Sequence, residues 1–480
     1  MRPDSLLLPG LLALAACASN PSLEERAPNV LFIAVDDLRP ELSILGGRAR
    51  TPNMDALAAE GLLFRNHMAV VPTCGASRRA MLTGRFPRRT ELNNDACLKL
   101  ARPGHEVPTW PGLLRAAGWH TVCLGKISHS PDGRVWPQQV KSAQGELEVP
   151  GAWDEAGFDP GPWEDAWAAF FAYEDGATRK RGQSPTTERG ADSTRYPDAL
   201  LADQACARLP ELAAADEPFL LAVGFFKPHL PFTARTSDWD GVAGRAEGIV
   251  HRPLPPEGTP AWATHGSGEL LGNYGSHPDG RRVDDAYARQ LQEGYLACVE
   301  ATDREVGRVL RSARALQDDR DLLVVLWSDH GWHLGDRGVW GKHTLFDEAL
   351  RCPLVVAGTA LGGVPRLVEE PVSTLDVAPT ILEVCGAPAM DGALDGQSLL
   401  PFASGPSHRG RGSAPSAWRA GGYLGTTVRT SEGRLTRWTR GDEEPLLERT
   451  RVCELPGCAC EPGDADLEAA LTPLLREPLR

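Results

Sequence analysis

With 480 residues, of which 42% are hydrophobic, the chain can bury one large α/β domain with an appendage, or up to about three domains. A formal net charge of −14 argues against nucleic acid as a partner. It also means that an anionic ligand must be held in a locally cationic pocket, against the field of the whole chain.

Leu6 to Ala16 is an apolar run too short to cross a bilayer as a helix, with Arg2 before it. Leu14-Ala15-Ala16-Cys17 resembles a bacterial lipobox. That resemblance implies a lipoprotein-type signal peptide over 1–17, a lipid on Cys17, and export to the periplasm or outer membrane; a plain signal peptide cut near Ala18 is the alternative. Asn29 to Val35 is a mostly apolar run that reads as a buried parallel strand ending in Asp36-Asp37. Thr51-Pro52 opens a helix that Gly61 closes, and Leu62 to His67 is a short strand. Thr73 or Cys74 begins a helix that Gly84 ends. Trp110 to Ala117 is helical, and the strand His120 to Leu124 leads into Gly125-Lys126-Ile127-Ser128-His129. Residues 131 to 195 are irregular and contain Trp136, Trp153, Trp163 and Trp167, a loop-rich insert of a kind that often carries function, although packing explains the tryptophans equally well. A helix from Asp198 to Leu209 precedes the strand Phe219 to Gly224, which ends in Phe225-Phe226-Lys227-Pro228-His229. Residues 233 to 280 read as surface loops, and Asp284 to Ala313 as a long helix weakened at Gly294. The strand Asp321 to Trp327 ends in Ser328-Asp329-His330-Gly331; Leu354 to Ala357 and a helix from Val377 to Cys385 follow. Gly405 to Pro415 reads as a linker, Tyr423 to Arg429 and Arg434 to Trp438 as a hairpin, and Asp466 to Leu471 as a last helix stopped by Pro473.

The pattern predicts an α/β fold: a large doubly wound, mixed but mainly parallel sheet flanked by helices over 27–404, and a small C-terminal α+β subdomain over 405–480. Of the 11 cysteines, Cys97, Cys123, Cys206, Cys298, Cys352 and Cys385 read as small core residues. Cys453, Cys458 and Cys460 cluster in the tail, compatible with one disulfide in an exported protein, its pairing open.

Four apolar runs end in charged or polar residues: Asp36 and Asp37, Lys126 and His129, Lys227 and His229, Asp329 and His330. In a doubly wound sheet the carboxyl ends of the strands form the ligand crevice, so these ends converge. Asp36, Asp37 and Asp329 offer hard oxygen ligands suited to calcium or magnesium. Arg78, Lys126 and Lys342 would neutralise an anion, and His129 and His229 can donate hydrogen bonds or protons. Taken singly, each of these residues is as readily a cap, a solvated charge or an ordinary histidine; the signal is their recurrence at strand ends.

Cys74-Gly75-Ala76-Ser77-Arg78 followed by Leu82-Thr83-Gly84-Arg85 resembles the modification motif of type I sulfatases, with Ala76 where the family usually has proline. Ala34-Val35-Asp36-Asp37-Leu38-Arg39-Pro40, Gly125-Lys126 with His129, Lys227-Pro228-His229-Leu230-Pro231-Phe232, Ser328-Asp329-His330-Gly331-Trp332, Trp340-Gly341-Lys342, Asp376-Val377-Ala378-Pro379-Thr380 and Asp395-Gly396-Gln397-Ser398-Leu399 resemble sulfatase segments in the family's order. They lie nearest the iduronate-2-sulfatase branch of this alkaline phosphatase superfamily.

The resemblance implies that Cys74 is converted to formylglycine by a generating enzyme during maturation. It implies one calcium ion held by Asp36, Asp37, Asp329 and His330 with the modified Cys74, His330 being the poorest ligand by hardness. Arg78 would orient the formylglycine hydrate, and Lys126, His129, His229 and Lys342 would surround the sulfate. One hydroxyl of the hydrate attacks sulfur and the second lets sulfate leave, with His229 or Lys342 protonating the departing alcohol. The substrate class implied is a sulfated carbohydrate; Trp332, His333 and His343, near the metal segment in the sequence, are candidates for further sugar contacts. The alternatives are a phosphate or phosphonate monoester hydrolase of the same superfamily, and a non-catalytic lipoprotein that binds sulfated glycans with Cys74 unconverted.

Overall fold

The computed structural model describes residues 27–105, 107–136, 145–247, 249, 251–252, 259–275, 277, 283–316, 320–362, 365–388, 394–405, 407–451, 465–476 and 478; Cys17, Cys453, Cys458 and Cys460 lie outside them. Eight strands form the main sheet, in the order Arg366–Val368, Leu62–Phe64, Leu354–Ala357, Leu322–Ser328, Asn29–Val35, Phe219–Phe225, His120–Gly125 and Glu155–Gly157. Only Leu354–Ala357 runs against the others.

The apolar runs are continuous because the sheet is covered on both faces. Alternate residues of the central strand serve opposite layers. Leu31, Ile33 and Val35 pack with Leu201, Leu209 and Leu291, whereas Val30, Phe32 and Ala34 pack with Leu82, Trp110 and Ile381. Helices Pro52–Ala58, Pro197–Ala213 and Asp285–Arg314 form the first layer; Cys74–Thr83, Trp110–Ala116 and Val377–Val384 form the second.

Several local expectations change. The helix expected to stop at Leu209 continues through Pro210 to Ala213. Proline removes the hydrogen bond to the carbonyl four residues earlier. Here that is Cys206, whose oxygen instead accepts from Ser312 Oγ of the long helix at 3.5 Å. Gly294 is not a weak point but a close-approach site, since a Cβ there would lie 2.7 Å from Trp239 Cη2 and 3.0 Å from Phe232 Cβ.

Residues 233 to 280 are also more ordered than loops, containing helices Thr236–Val242 and Gly268–Asn273. At the C-terminus, strands Ser413–Ala420, Tyr423–Thr430, Gly433–Thr439 and Leu446–Arg451 form an antiparallel sheet that includes the expected hairpin. Its first strand starts inside the stretch read as a linker; Pro415 is tolerated because this strand is an edge. Helix Ala465–Leu471 buries Leu467 and Leu471 against Val428 and Leu435. The small sheet is tied to the main body by Ala417 N donating to Val70 O at 2.8 Å and Ser416 Oγ donating to Ala69 O at 2.6 Å. Cys97, Cys123, Cys298, Cys352 and Cys385 are free and buried, and Cys206 is free and half-buried.

Candidate active site

The register of the three central strands builds the floor of the site. Val35 pairs with Ser328 on one side and Phe225 on the other, so Asp36 and Asp329 leave adjacent strands at one level. Asp37 takes a left-handed backbone, φ +61°, which aspartate adopts more readily than most residues. Tyr295 holds that turn, its hydroxyl donating to Asp37 O at 2.7 Å and accepting from Arg39 N at 2.8 Å. Asp329 Oδ1 accepts from Asp37 N at 3.1 Å.

The helix Cys74–Thr83 enters from above with every residue buried. Thr73 is its N-cap in backbone conformation, but Asn94 does the capping. Its Oδ1 accepts from Gly75 N at 3.1 Å and from Thr73 Oγ1 at 2.9 Å. Only glycine fits at 75, where a Cβ would meet Asn94 O at 2.0 Å. Gly84, at φ +61°, closes the helix with a bond to Ala80 O.

Three cations interlock with three carboxylates here, all at most 2% exposed. Arg78 bridges two strand ends, with Nη2 3.0 Å from Asp36 Oδ1 and Nε 2.9 Å from Asp329 Oδ2. Lys126 Nζ lies 2.6 Å from Asp36 Oδ2 and 4.3 Å from the centre of the Phe170 ring. Lys342 Nζ lies 2.9 and 3.1 Å from the Asp37 oxygens and 3.4 Å from Cys74 Sγ. Burial would raise the pKa of Asp36, but the charges of Lys126 and Arg78 hold it well below the usual carboxylate range. Burial dominates at Asp37, which sits well above that range despite Lys342, with Cys74 and Asp36 adding to the rise. Asp37 is therefore short of positive charge. Burial also pushes the Cys74 thiol up to about 12.

The donor set fits a divalent metal ion. The ligand atoms of Asp36, Cys74 and Asp329 lie within 4.8 Å of one another, as do those of Asp37, Cys74 and His330, and these two sets share Cys74. His330 Nδ1 lies 3.0 Å from Gly331 O, which assigns the proton to that nitrogen and leaves Nε2 as a lone pair. Nε2 stands 3.3 Å from Cys74 Sγ and 3.5 Å from Asp37 Oδ1.

The fold thus brings together Asp36, Asp37, Cys74, Arg78, Lys126, His229, Asp329, His330 and Lys342. His129 stands at the rim, half-buried, its ring edge-on to Trp167 at 6.0 Å. Burial and the Lys126 charge lower its pKa well below the usual histidine value. His229 has Nδ1 2.7 Å from Leu230 O and Nε2 3.2 Å from Glu269 Oε1; burial and Lys342 lower it to about 4.

Some residues fall elsewhere. Lys227 turns away from the anion site and ties its own loop by donating to Pro231 O and to His229 O. Trp332 and His333 are buried, the Trp332 ring 5.2 Å from Lys342 Nζ and His333 Nε2 2.8 Å from Thr344 Oγ1. His343 is half-buried and stacked on Trp418.

Glu269 was missed. Its Oε1 lies 3.2 Å from His229 Nε2 and 3.4 Å from Lys342 Nζ. It rides on Gly268–Asn273, which is locked to the Lys342 segment by Trp340 N donating to Ser267 Oγ at 2.9 Å and by His265 Nε2 on Lys342 O. No local spacing in the sequence marks it; only the tertiary path of this segment reveals it.

A family model described as Sulfatase matches residues 28–387. The "Sulfatase" of Formosa agariphila is 30% identical over 388 residues, covering 75% of this chain and 70% of that protein. Iduronate 2-sulfatase of Homo sapiens is 30% identical over 341 residues, covering 68% of this chain and 59% of the relative, so the chain spans less than two thirds of that protein. The crystal structure of a phosphonate monoester hydrolase of Agrobacterium radiobacter superposes with a TM-score of 0.68 at 22% identity over 93% of this chain and 94% of that one, a likeness of fold.

Proposed function

The chain belongs to the sulfatase family, whose members are sulfuric ester hydrolases, and on that premise we propose that it hydrolyses sulfate monoesters of carbohydrates, using formylglycine made from Cys74 and a bound calcium ion. The observation that carries this is the setting of Cys74. It opens a buried helix, 3.4 Å from Lys342 Nζ and 3.3 Å from His330 Nε2, with Arg78 one turn on.

Asp36, Asp37, Asp329 and His330, with the side chain at 74, would hold the calcium, which supplies Lewis acidity toward a sulfate oxygen and a hydroxyl. Formylglycine supplies, as its hydrate, a nucleophile with a second hydroxyl for release of sulfate. The remaining work belongs to encoded residues. Arg78, clamped between Asp36 and Asp329, fixes a positive charge beside position 74. Lys126 and Lys342 stabilise charge on the sulfate oxygens, and Phe170 under Lys126 keeps water from its ammonium. His229 or Lys342 is placed to protonate the leaving alcohol; burial and the Lys342 charge oppose the protonated form of His229, and Glu269 favours it.

Charge balance favours sulfate over phosphate. Arg78, Lys126, Lys342 and a divalent ion face Asp36, Asp37, Asp329 and Glu269, leaving one positive charge. A sulfate monoester carries one negative charge and closes that account, whereas a phosphate monoester carries nearly two.

The proposal extends to maturation. The lipobox-like Leu14 to Cys17 supports export with a lipid at Cys17, and formylglycine calls for a generating enzyme. No helix among the described residues is long and apolar enough to cross a membrane. Residues 27–404 are taken as the catalytic domain and 405–480 as its small subdomain.

The test is the intact mass of the tryptic peptide containing Cys74, with kcat/KM on paired aryl sulfate and aryl phosphate. An aldehyde mass at 74, a sulfate preference, and loss of turnover in a folded Cys74→Ala variant are expected. An unmodified cysteine in active enzyme, or a phosphate preference in the calcium-loaded enzyme, overturns the assignment.

A further inference from the structure

An aromatic wall leads from the catalytic histidines to a run of three cations. Trp167 meets His129 edge-on at 6.0 Å and stacks on Phe171 at 6.3 Å. Phe171 in turn lies 6.0 Å from the His229 ring. Both Trp167 and Phe171 are half-buried, so part of each ring faces solvent. Over Phe171 sits the Arg179 guanidinium, its Cζ 3.5 Å from the ring centre, and the exposed Lys180 and Arg181 follow.

This run is held in place. Lys180 N donates to Ser184 Oγ at 2.8 Å, Gly182 N to Asn273 O at 2.9 Å and Gly275 N to Ser184 O at 3.0 Å. Asn273 ends the helix that carries Glu269, so the cations have a fixed position relative to the catalytic groups. They also lack counter-charges: among the described residues, no carboxylate forms an ion pair with Arg179, Lys180 or Arg181. Nearby arginines differ, since Arg189, Arg195, Arg208 and Arg235 each pair with an aspartate or glutamate. Three adjacent cations with no ion-pair partner among the described residues, at the rim of an anion site on a chain of net charge −14, make a local attractive field for a second anion.

We propose that Trp167, Phe171 and Arg179 to Arg181 form a second subsite. It takes the sugar next to the one bearing the scissile sulfate, and that neighbour carries its own sulfate or carboxylate. Trp167 offers an apolar ring surface to the sugar, Phe171 backs it and seats Arg179, and the cations take the sugar's anionic group. The substrate is then an oligosaccharide with at least two anionic groups, not a simple monosulfated sugar. This rests on the sulfate-ester reading of the site.

The test uses the Lys180→Ala/Arg181→Ala double variant, both positions being exposed and remote from the reacting atoms. Three sulfated disaccharides are compared with an aryl sulfate: one neutral beyond the scissile sulfate, one with a second sulfate, and one with a carboxylate on the neighbouring sugar. Wild type should prefer a doubly anionic disaccharide, with the preference fading as salt is raised. The double variant should lose about tenfold in kcat/KM on it, through KM, and stay unchanged on aryl sulfate. A response in either the sulfate or the carboxylate arm supports the subsite and identifies its group. Equal kinetics of wild type and variant on all three disaccharides, or an equal loss on aryl sulfate, overturns it. Equilibrium binding of the same disaccharides keeps the two readings apart. Absence of aryl sulfate turnover in wild type refutes the catalytic reading, and equal binding by wild type and double variant refutes the subsite.

Discussion

Replacing Arg78 with alanine isolates the electrostatic keystone of the site. Arg78 makes two charge-assisted bonds to carboxylates, 3.0 Å to Asp36 and 2.9 Å to Asp329, with all three side chains inaccessible to solvent, and its Nη1 also donates to Lys126 O. Its removal leaves Asp36 with Lys126 at 2.6 Å but leaves Asp329 Oδ2 without any lysine or arginine partner. Breaking a buried pair by deleting one member costs about 3–5 kcal/mol, because a charge is stranded. Arg78→Lys keeps the charge but cannot span both strand ends, so it should lose one charge-assisted bond, about 1.5–3 kcal/mol. The assay is equilibrium urea unfolding followed by tryptophan fluorescence in the presence of a chelator. Asp329→Asn placed in the Arg78→Ala background removes the stranded charge, so the double variant should be more stable than the two single losses added together. Added calcium should return part of the Arg78→Ala loss by supplying positive charge at the same carboxylates. A loss under about 1 kcal/mol for Arg78→Ala, or strict additivity with Asp329→Asn, would refute the argument from buried charge.

Further outcomes follow from other contacts. Lys342→Ala removes a cation from both Asp37 and the sulfate, and should reduce kcat/KM on aryl sulfate by roughly two to three orders of magnitude, the scale of losing one oxyanion donor; retention of a tenth of the activity speaks against its role. Chelation should abolish turnover, with calcium or magnesium restoring it better than zinc, as elemental analysis of the reactivated protein would confirm. Stability should fall in acid partly through His67, which is sealed between Cys352 O and Thr374 Oγ1 and lowered by burial to about 4. Its unfolded form takes up a proton near 6.5 while the folded form resists until about 4, so its contribution is complete above 6.5 and shrinks as pH falls through that window, by about 3 kcal/mol in all. His67→Gln should flatten the stability profile between those two values; an unchanged slope rules the histidine out as the cause.

What could be read from the sequence depended on length and burial. Asn29–Val35, Phe219–Phe225 and Leu322–Ser328 are seven-residue runs buried on both faces, and their polar ends could be named before the fold was known. Arg366–Val368 and Glu155–Gly157, three residues each, fall below the length at which periodicity means anything, and nothing local marks Leu354–Ala357 as the reversed strand. Asp36, Asp37, Lys126, Asp329 and His330 are legible because each closely follows a long strand, and Cys74 and Arg78 because they lie on the first turns of one helix; Lys342, after the two-residue strand Trp340–Gly341, is marked by the resemblance of its segment alone. Glu269 was not, because it arrives from a stretch rich in glycine, proline and histidine and is placed by contacts with distant segments.

The burial of the helix that begins at Cys74 also sets an order of events in time. Cys74 is 2% exposed, and the turn around it is closed by Asn94 packed against Gly75. No second protein could lay a catalytic cleft over that side chain once these contacts exist. Any enzyme that alters Cys74 must therefore meet it as an extended segment, before the Asn94 loop docks, and folding acts as a deadline for modification. A variant that folds faster would be expected to carry less modified residue, and one that folds slowly to carry more.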